Sequence, residues 1–571
     1  MAAPTLEVVF LWHMHQPDYR RHGGAGGSVG DGGFELPWTY LHALKDYSDM
    51  AAHLERHPKV RCVVNFVPVL LEQLEDYAAQ FASGRFRDPL LAMLAREHFS
   101  ALTAHEREFL LAACFRSNHV TMLAPFPRYH RLHTLYQTLA TDGGPALAYL
   151  STDYYADLVT WYHLAWTGEA ERRTDPVIAQ LLSKGDGYTL ADRRALLASI
   201  GRVIGGIIPR YRALAERGQI ELSATPQTHP LSPLLLDLRS ARESQPDAPL
   251  PTSVASGGYP GGQTRVQAQI ADASASHAAR FGAPPVGMWP AEGAISTAFV
   301  QHLAKAGIRW IASGEGVLRN SCNASGLTDA RAAYGAWSLD DAPGLSLFFR
   351  DERLSDLIGF DFAKWHGRDA ARHLVAELEN IRLGAAPNER CVVGIALDGE
   401  NAWEHYPYNG WYFFDDLYGV LADHPTLRTT TYGDLIAAGL PSRPLPRLVA
   451  GSWVYGTLST WIGDAAKNRA WDLLCAAKRS LDLVFASGRL DAEQKAAALR
   501  QLAVCESSDW FWWFGDYNPS DAVASFDRLY RDNLKRLYRL LLLDAPAQLD
   551  VPISKGAHGS AMTSGSMRRA S

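Results

Sequence analysis

Two acids in this sequence stand where apolar stretches end. Glu292 closes Gly-Met-Trp-Pro-Ala-Glu and is followed by Gly293, and Asp398 closes Val-Gly-Ile-Ala-Leu-Asp and is followed by Gly399. Cleavage of a glycosidic bond commonly uses two carboxyl groups that flank it. One attacks the sugar or activates water, and the other protonates the leaving oxygen. A single strand-end acid can equally cap a helix or pair with an arginine, so the weight lies on the two contexts together. His13 and His15 form a His-x-His pair, and on a strand residues i and i+2 face the same way. That spacing suits metal ligation, as in a zinc-dependent mannosidase or deacetylase. It also suits hydrogen bonding to sugar hydroxyls, the reading favoured here because no acidic partner follows in a metal-ligand pattern. His229, in Thr-Pro-Gln-Thr-His-Pro, either contacts substrate or caps a turn.

These residues need a scaffold. Seven short β-branched or aromatic runs read as buried strands: 6–11, 60–67, 219–223, 286–289, 308–312, 345–349 and 391–397. Helical stretches such as 263–281 and 369–382 lie between them. Strands alternating with helices imply an α/β fold with a parallel sheet, and seven strands suit a barrel related to the eight-stranded one. Active sites of such barrels lie at the carboxyl ends of the strands, and polar residues cluster there strand after strand. Trp12–Pro17 follow the first strand, Ala224–Pro230 the third, Pro290–Gly293 the fourth, Ser313–Glu315 the fifth, Arg350–Glu352 the sixth and Asp398–Glu404 the seventh.

About 70–217 is too long for a simple crossover and reads as a helical insertion. After about residue 444 the pattern turns helical over 467–487, 491–506 and 521–543, with Asp491 and Ser520 as expected N-caps. We expect domains at 1–440 (catalytic, with the insertion) and 441–545 (a C-terminal helical bundle completing the cleft). A disordered tail is expected over 546–571, its small polar composition beginning at about Lys555.

The formal net charge is −6, which argues against a general nucleic-acid or anionic-membrane partner. No apolar run long enough to span a membrane is present. The N-terminus has no basic leader or cleavage site, so a cytoplasmic protein is expected. The six cysteines are scattered without a Cys-x-x-Cys pair, which fits free thiols. There are 16 tryptophans. Those inside the motifs, Trp289, Trp403, Trp461 and Trp510, are candidate sugar contacts. Ser508–Asp516 and Ser459–Asp464 read as aromatic loops, with Asp509 and Asp516 as hydrogen-bond acceptors.

The segments HMHQPDY, IELSATPQTHPLSPLL, GMWPAEGAIS, ALDGENAWEHYP and TTTYGDLI resemble, in order, the five signature regions of glycoside hydrolase family 57. FFRDERLSDLIGF, STWIGDAAKNRAW and SSDWFWWFGDY are similar to its amylopullulanase and α-amylase branch. The resemblance spans roughly residues 6–540. It implies an incomplete (β/α)7 barrel followed by a helical bundle, and a retaining mechanism on α-glucans or maltooligosaccharides without metal or cofactor. It further implies Glu292 as nucleophile, Asp398 as general acid/base, His13 and His15 beside the scissile bond, and Trp461 as a stacking residue. Hydrolysis of α-1,4-glucans is the activity expected. The same machinery would also serve a 4-α-glucanotransferase or a branching enzyme. A retaining pair should stand about 5–5.5 Å apart. Two positions depart from the branch: Ser313-Gly314-Glu315 where Thr-Asp-Glu is frequent, and Gln227-Thr228 where aromatics are.

Overall fold

The apolar runs form strands because their β-branched and aromatic side chains pack on both faces of a parallel sheet. In the computed structural model, which describes residues 5–21, 32–141, 145–386 and 389–557, the strands are β1 (Leu6–Met14), β2 (Cys62–Phe66), β3 (Ile220–Ala224), β4 (Gly287–Met288), β5 (Trp310–Gly314), β6 (Ala336–Ser338), β7 (Ser346–Arg350), β8 (Val392–Asp398), β9 (Leu427–Thr429) and β10 (Ser442–Pro444). All seven expected strands are present. Three of these elements, β6, β9 and β10, were not read from the sequence.

The strands run β7-β5-β4-β3-β2-β1-β8 side by side, all parallel. One backbone pair between Arg350 and Gly394 closes the ring of seven. β9 adds to the edge of β1, and the antiparallel β6 with β10 extends β7 outward. The structure is therefore the incomplete (β/α)7 barrel that the sequence led us to expect.

Alternation sorts each strand. Phe10 and Trp12 of β1 point outward and pack on Tyr418 and Phe414 of the helix Trp411–Ala422. Val9 and Leu11 point inward, where they fill the barrel with Val63, Trp289, Trp310, Ala312, Phe348 and Ala396. Continued by two residues, the inward set reaches His13 on β1, Asn65 on β2 and Asp398 on β8. These three lie side by side in register at the carboxyl end.

Helices from Pro68–Ser83 to Leu190–Glu216 occupy the interval between β2 and β3. The C-terminal helices are Ala465–Ala486, Ala492–Cys505 and Ser520–Leu540. Asp491 caps its helix as expected, in a capping box with Gln494. Ser520 does not: Pro519 occupies the N-cap position and Ser520 is the first helical residue. Ser508–Trp513 is a short helix rather than a loop. The start of the expected tail is ordered, since Ala557 pairs with Pro519, and its remainder lies outside the described residues. All six cysteines are buried free thiols. Among the described residues no helix is long and apolar enough to cross a membrane.

Candidate active site

Asp398 is positioned by the sheet. It ends β8 in register with His13, and the Gly399 amide donates to the His13 carbonyl at 2.7 Å. Gly399 is required for that approach, because a side chain there would run into the Met14 sulfur. Asn401 Nδ2 donates to Asp398 Oδ2 at 2.8 Å. Burial raises the Asp398 pKa above the ordinary carboxylate value, and the Asn401 bond and the nearby His15 and Arg350 charges oppose the rise.

Glu292 is positioned by a strained turn after β4. Its φ of 59° and ψ of 21° are left-handed, which for a non-glycine residue costs on the order of 1–3 kcal/mol. Remote segments hold the turn. The Trp453 amide donates to the Glu292 carbonyl at 3.1 Å, and Ile295 pairs with Gly451. Ser508 Oγ donates to Glu292 Oε1 at 2.9 Å, and Trp453 Nε1 lies 3.4 Å from Oε2. Burial pushes the Glu292 pKa up to about 8, assisted by the charges of Asp509 and Asp398. The departure at Gly314 has a cause here. The Trp453 backbone rests on Gly314, so that any side chain would meet Trp453 Cα at 2.6 Å. At the other departure, Gln227 donates to Glu72 and Thr228 to the Ala503 carbonyl.

Three histidines stack on one another in the same pocket. His13 Nδ1 is 2.6 Å from Asn65 Oδ1, which also accepts from Thr225, while Asn65 Nδ2 donates to Ser223. His13 Nε2 faces His229 Nε2 at 3.1 Å. Burial, then the His15 charge, lowers the His13 pKa to about 3 and keeps that ring neutral. Burial also holds His229 well below the ordinary imidazole value. His229 Nδ1 is 2.8 Å from Ser508 Oγ. Ser508 has one hydroxyl proton for two neighbours. While it donates to Glu292 it has none for His229, so the ionisation of Glu292 is tied to the proton positions of the histidine pair. His229 and Thr228 are both left-handed, and the Ser508 amide donates to the His229 carbonyl at 2.8 Å.

His15 Nε2 is 3.0 Å from both Asp509 oxygens. Glu400 Oε1 accepts from the His15 amide and Gln16, while its buried Oε2 has no hydrogen-bond partner among the described residues. His15, His229 and Asp509 present ligand atoms within 4.8 Å of one another and could together hold a cation. His229, however, already has a partner at each ring nitrogen. The metal-ligand pairing of His13 with His15 is not what the structure brings together, since His13 is taken by Asn65 and His229.

All these groups open into one cavity of about 540 Å³ at the carboxyl ends of the strands, lined by His13, His15, His229, Glu292, Asp398, Glu400 and Asp509. Further walls come from Trp38 and Trp166 near the helical insertion and from Trp512 and Trp513 beside the C-terminal helices. The four tryptophans expected to touch sugar do not line it, and each is fully buried. Trp289 plugs the barrel against Trp453. Trp403 packs on Trp12 and Phe414 and donates to the Gly399 carbonyl. Trp461 packs beside Trp512, and Trp510 against Phe526 and Tyr530. Asp516 is exposed and lies outside the cavity lining. Sequence reasoning missed Ser508 and Asn65 as site residues. Asn65 carried a signal, as the one polar residue in the run Val-Val-Asn-Phe-Val.

Residues 9–445 match the family model for glycosyl hydrolase family 57. No curated protein sequence matches the chain. Among solved structures, the branching enzyme of Pyrococcus horikoshii is 15% identical, with 95% of this chain and 90% of that one covered at a TM-score of 0.55. The branching enzyme of Thermococcus kodakaraensis is 14% identical over 95% and 90%, with a TM-score of 0.56. The α-amylase AmyC of Thermotoga maritima is 13% identical over 95% and 93%, with a TM-score of 0.55. These likenesses are of fold. The family match covers most of the chain, its signature segments supply the cavity acids, and the chain belongs to glycosyl hydrolase family 57.

Proposed function

We propose that the protein cleaves α-1,4-glucans with retention of configuration, Glu292 being the nucleophile and Asp398 the general acid/base. The observation that carries this reading is the meeting of the two acids in one cavity, where the Asp398 charge helps to raise the Glu292 pKa, among three stacked histidines. In the first step the Glu292 carboxylate attacks the anomeric carbon as the bond to the leaving oxygen breaks, and Asp398 gives that oxygen a proton. In the second, Asp398 takes a proton from water, whose oxygen displaces Glu292. The buried His15 Nδ1 and Glu400 Oε2, neither of them hydrogen-bonded among the described residues, are placed to bind sugar hydroxyls, with His13 and His229 bonded to protein partners beside them. Residues 441–545 belong to this function as a unit that completes the cleft laid out by 1–440, because Trp512, Trp513 and Phe526 stand in the cavity wall.

A second reading replaces water by a sugar hydroxyl, which makes the protein a 4-α-glucanotransferase or a branching enzyme. It is favoured by the cavity's aromatic walls from two separate parts of the chain, which give an acceptor sugar something to stack on. Product chromatography on maltoheptaose, soluble starch and pullulan tests both. Hydrolysis yields shorter chains alone, transfer yields longer ones as well, and inertness toward all three overturns both. Exhaustive chelation should leave turnover unchanged. Loss of activity restored by zinc would favour the His15–His229–Asp509 cluster as a metal centre.

A further inference from the structure

Large aromatic side chains are seldom left in solvent where burial would stabilise them. Three are left exposed on the barrel rim that carries the cavity: Trp365 at 43%, Tyr408 at 56% and Tyr412 at 48%. Trp365 stands just before His366, the N-cap of the helix Gly367–Leu383, and Tyr412 lies in the first turn of Trp411–Ala422. Both helices follow barrel strands, so their N-termini lie at the active-site end. Gly367 is pressed against the Tyr412–Phe413 peptide, where a side chain would meet Phe413 N at 2.8 Å, and this brings the two helix starts together.

The rings are held ready. Tyr408 and Tyr412 stand edge to face, centroids 5.4 Å apart at 89°. Arg173 lies over the Tyr412 ring and donates to its hydroxyl at 3.2 Å. Tyr408 and Asn409 are both left-handed at φ 53°. Asn409 is locked inward, donating to Asp49 at 2.8 Å and accepting from Lys45 at 2.9 Å. With its neighbour anchored in that way, Tyr408 is held outward by a backbone that strain alone would relax, the sort of cost that persists at functional positions. The patch also runs on from the cavity. Glu404 and His405 line the cavity and lead within three residues to Tyr408, and Phe360 lines it and leads to Trp365.

We propose that Trp365, Tyr408 and Tyr412 form a track outside the catalytic cavity that binds a stretch of polymeric α-glucan chain leaving it. This rests on the α-glucan reading above and adds a site to it. Ordered rings offer stacking faces to successive glucose units at little entropic cost.

The test is retardation in native gels containing amylopectin, with turnover of amylopectin and maltoheptaose measured in parallel. The Trp365→Ala/Tyr408→Ala/Tyr412→Ala variant should bind amylopectin about tenfold more weakly, if stacking on sugar resembles stacking on bases. Its KM for amylopectin should rise while maltoheptaose turnover stays at the wild-type level. Retardation equal to wild type overturns the proposal, as does an equal loss on both substrates. Should circular dichroism show the triple variant unfolded, Tyr408→Ser alone decides, with weakened retardation expected and unchanged retardation overturning the track. Wild-type protein that turns over maltoheptaose but is not retarded by amylopectin refutes the track and leaves the activity standing. Wild-type protein inert on every α-glucan refutes the activity, and retardation that depends on the three rings would then still support the track.

Discussion

The two acids of the site are held in opposite ways. Asp398 is the last residue of a seven-residue strand, fixed by register with His13 and by bonds from neighbours within three positions. Glu292 follows a two-residue strand, sits in left-handed backbone, and is bonded by Trp453 and Ser508 from 161 and 216 positions away. Asp398 is thus placed by the barrel itself. Glu292 is held by contacts from the C-terminal part of the chain as well. The C-terminal part then holds the site as well as packing on its neighbours, because Ser508 is at once a hydrogen-bond donor to Glu292 and the start of a helix packed on Phe526 and Tyr530 through Trp510.

The largest effects should come from the acids themselves. Glu292→Ala should lower turnover by about 10³-fold or more with the fold intact. Azide should partly restore activity on a substrate with a good leaving group, giving the inverted glycosyl azide. Asp398→Ala should cost about 10²–10⁴-fold on natural glucans and far less where the leaving group needs no proton. Near wild-type turnover in either variant ends its assigned role. Proton NMR of the first product supplies the stereochemical check, since initial β-anomer from an α-glucan would rule out retention.

The same contrast sets what could be read from the sequence. All seven barrel strands were legible because each is an apolar run of β-branched or aromatic residues. The three-residue β6, β9 and β10 contain no such run, and they exist only because a neighbouring strand offers an edge. Asp398 and Glu292 were legible as acids ending apolar stretches. The grip on Glu292 was not, since no periodicity links residue 292 to 453 or 508. The tryptophans misled for a physical reason: a ring in a motif can serve the motif by packing beneath it, as Trp289 does under Glu292. Trp461→Ala should therefore act on stability, lowering it by about 3–5 kcal/mol in denaturant titrations. A normally stable variant with weakened maltooligosaccharide binding would return Trp461 to the cleft.

Breaking one bond on each side sharpens the comparison. Ser508→Ala removes the hydroxyl shared by Glu292 and His229. A hydrogen bond to a charged group contributes about 1.5–3 kcal/mol, so kcat should fall roughly 10- to 100-fold with little change in KM. Asn401→Ala removes a bond that favours ionised Asp398, so the pKa of that acid should rise and the alkaline limb of the pH–rate profile should move up. An unchanged kcat in Ser508→Ala would mean that the remote grip on Glu292 is not needed for chemistry. Asp509→Asn tests the charge, at the cost of one oxygen that faces His15 or Ser507. Asp509 lies among the charges that raise Glu292, so its neutralisation should let Glu292 ionise more readily and shift the acid limb of kcat to lower pH. A limb that stays in place or moves up would contradict that coupling.

The last effect is on stability, and it follows from the same raised acid. The Glu292 pKa is about 8 in the folded chain against an ordinary 4.5. Between those values the native state holds a proton that the unfolded chain has released. Stability contributed by this group is therefore complete below about pH 4.5 and declines as pH rises toward 8. In the proposed role Glu292 must be ionised, so turnover would work against this stability, and Asp398 is raised in the same direction. Glu292→Gln keeps the shape and an oxygen for the Ser508 proton but has no charge to bury. It should melt at nearly the wild-type temperature at pH 5. At pH 8 it should be the more stable of the two, by on the order of 3–4 kcal/mol. Scanning calorimetry at the two pH values reads the difference directly. A stabilisation equal at both would trace the effect to packing or to the left-handed turn. A loss at pH 8 would mean that the carboxylate is better accommodated by Ser508 and Trp453 than its burial implies.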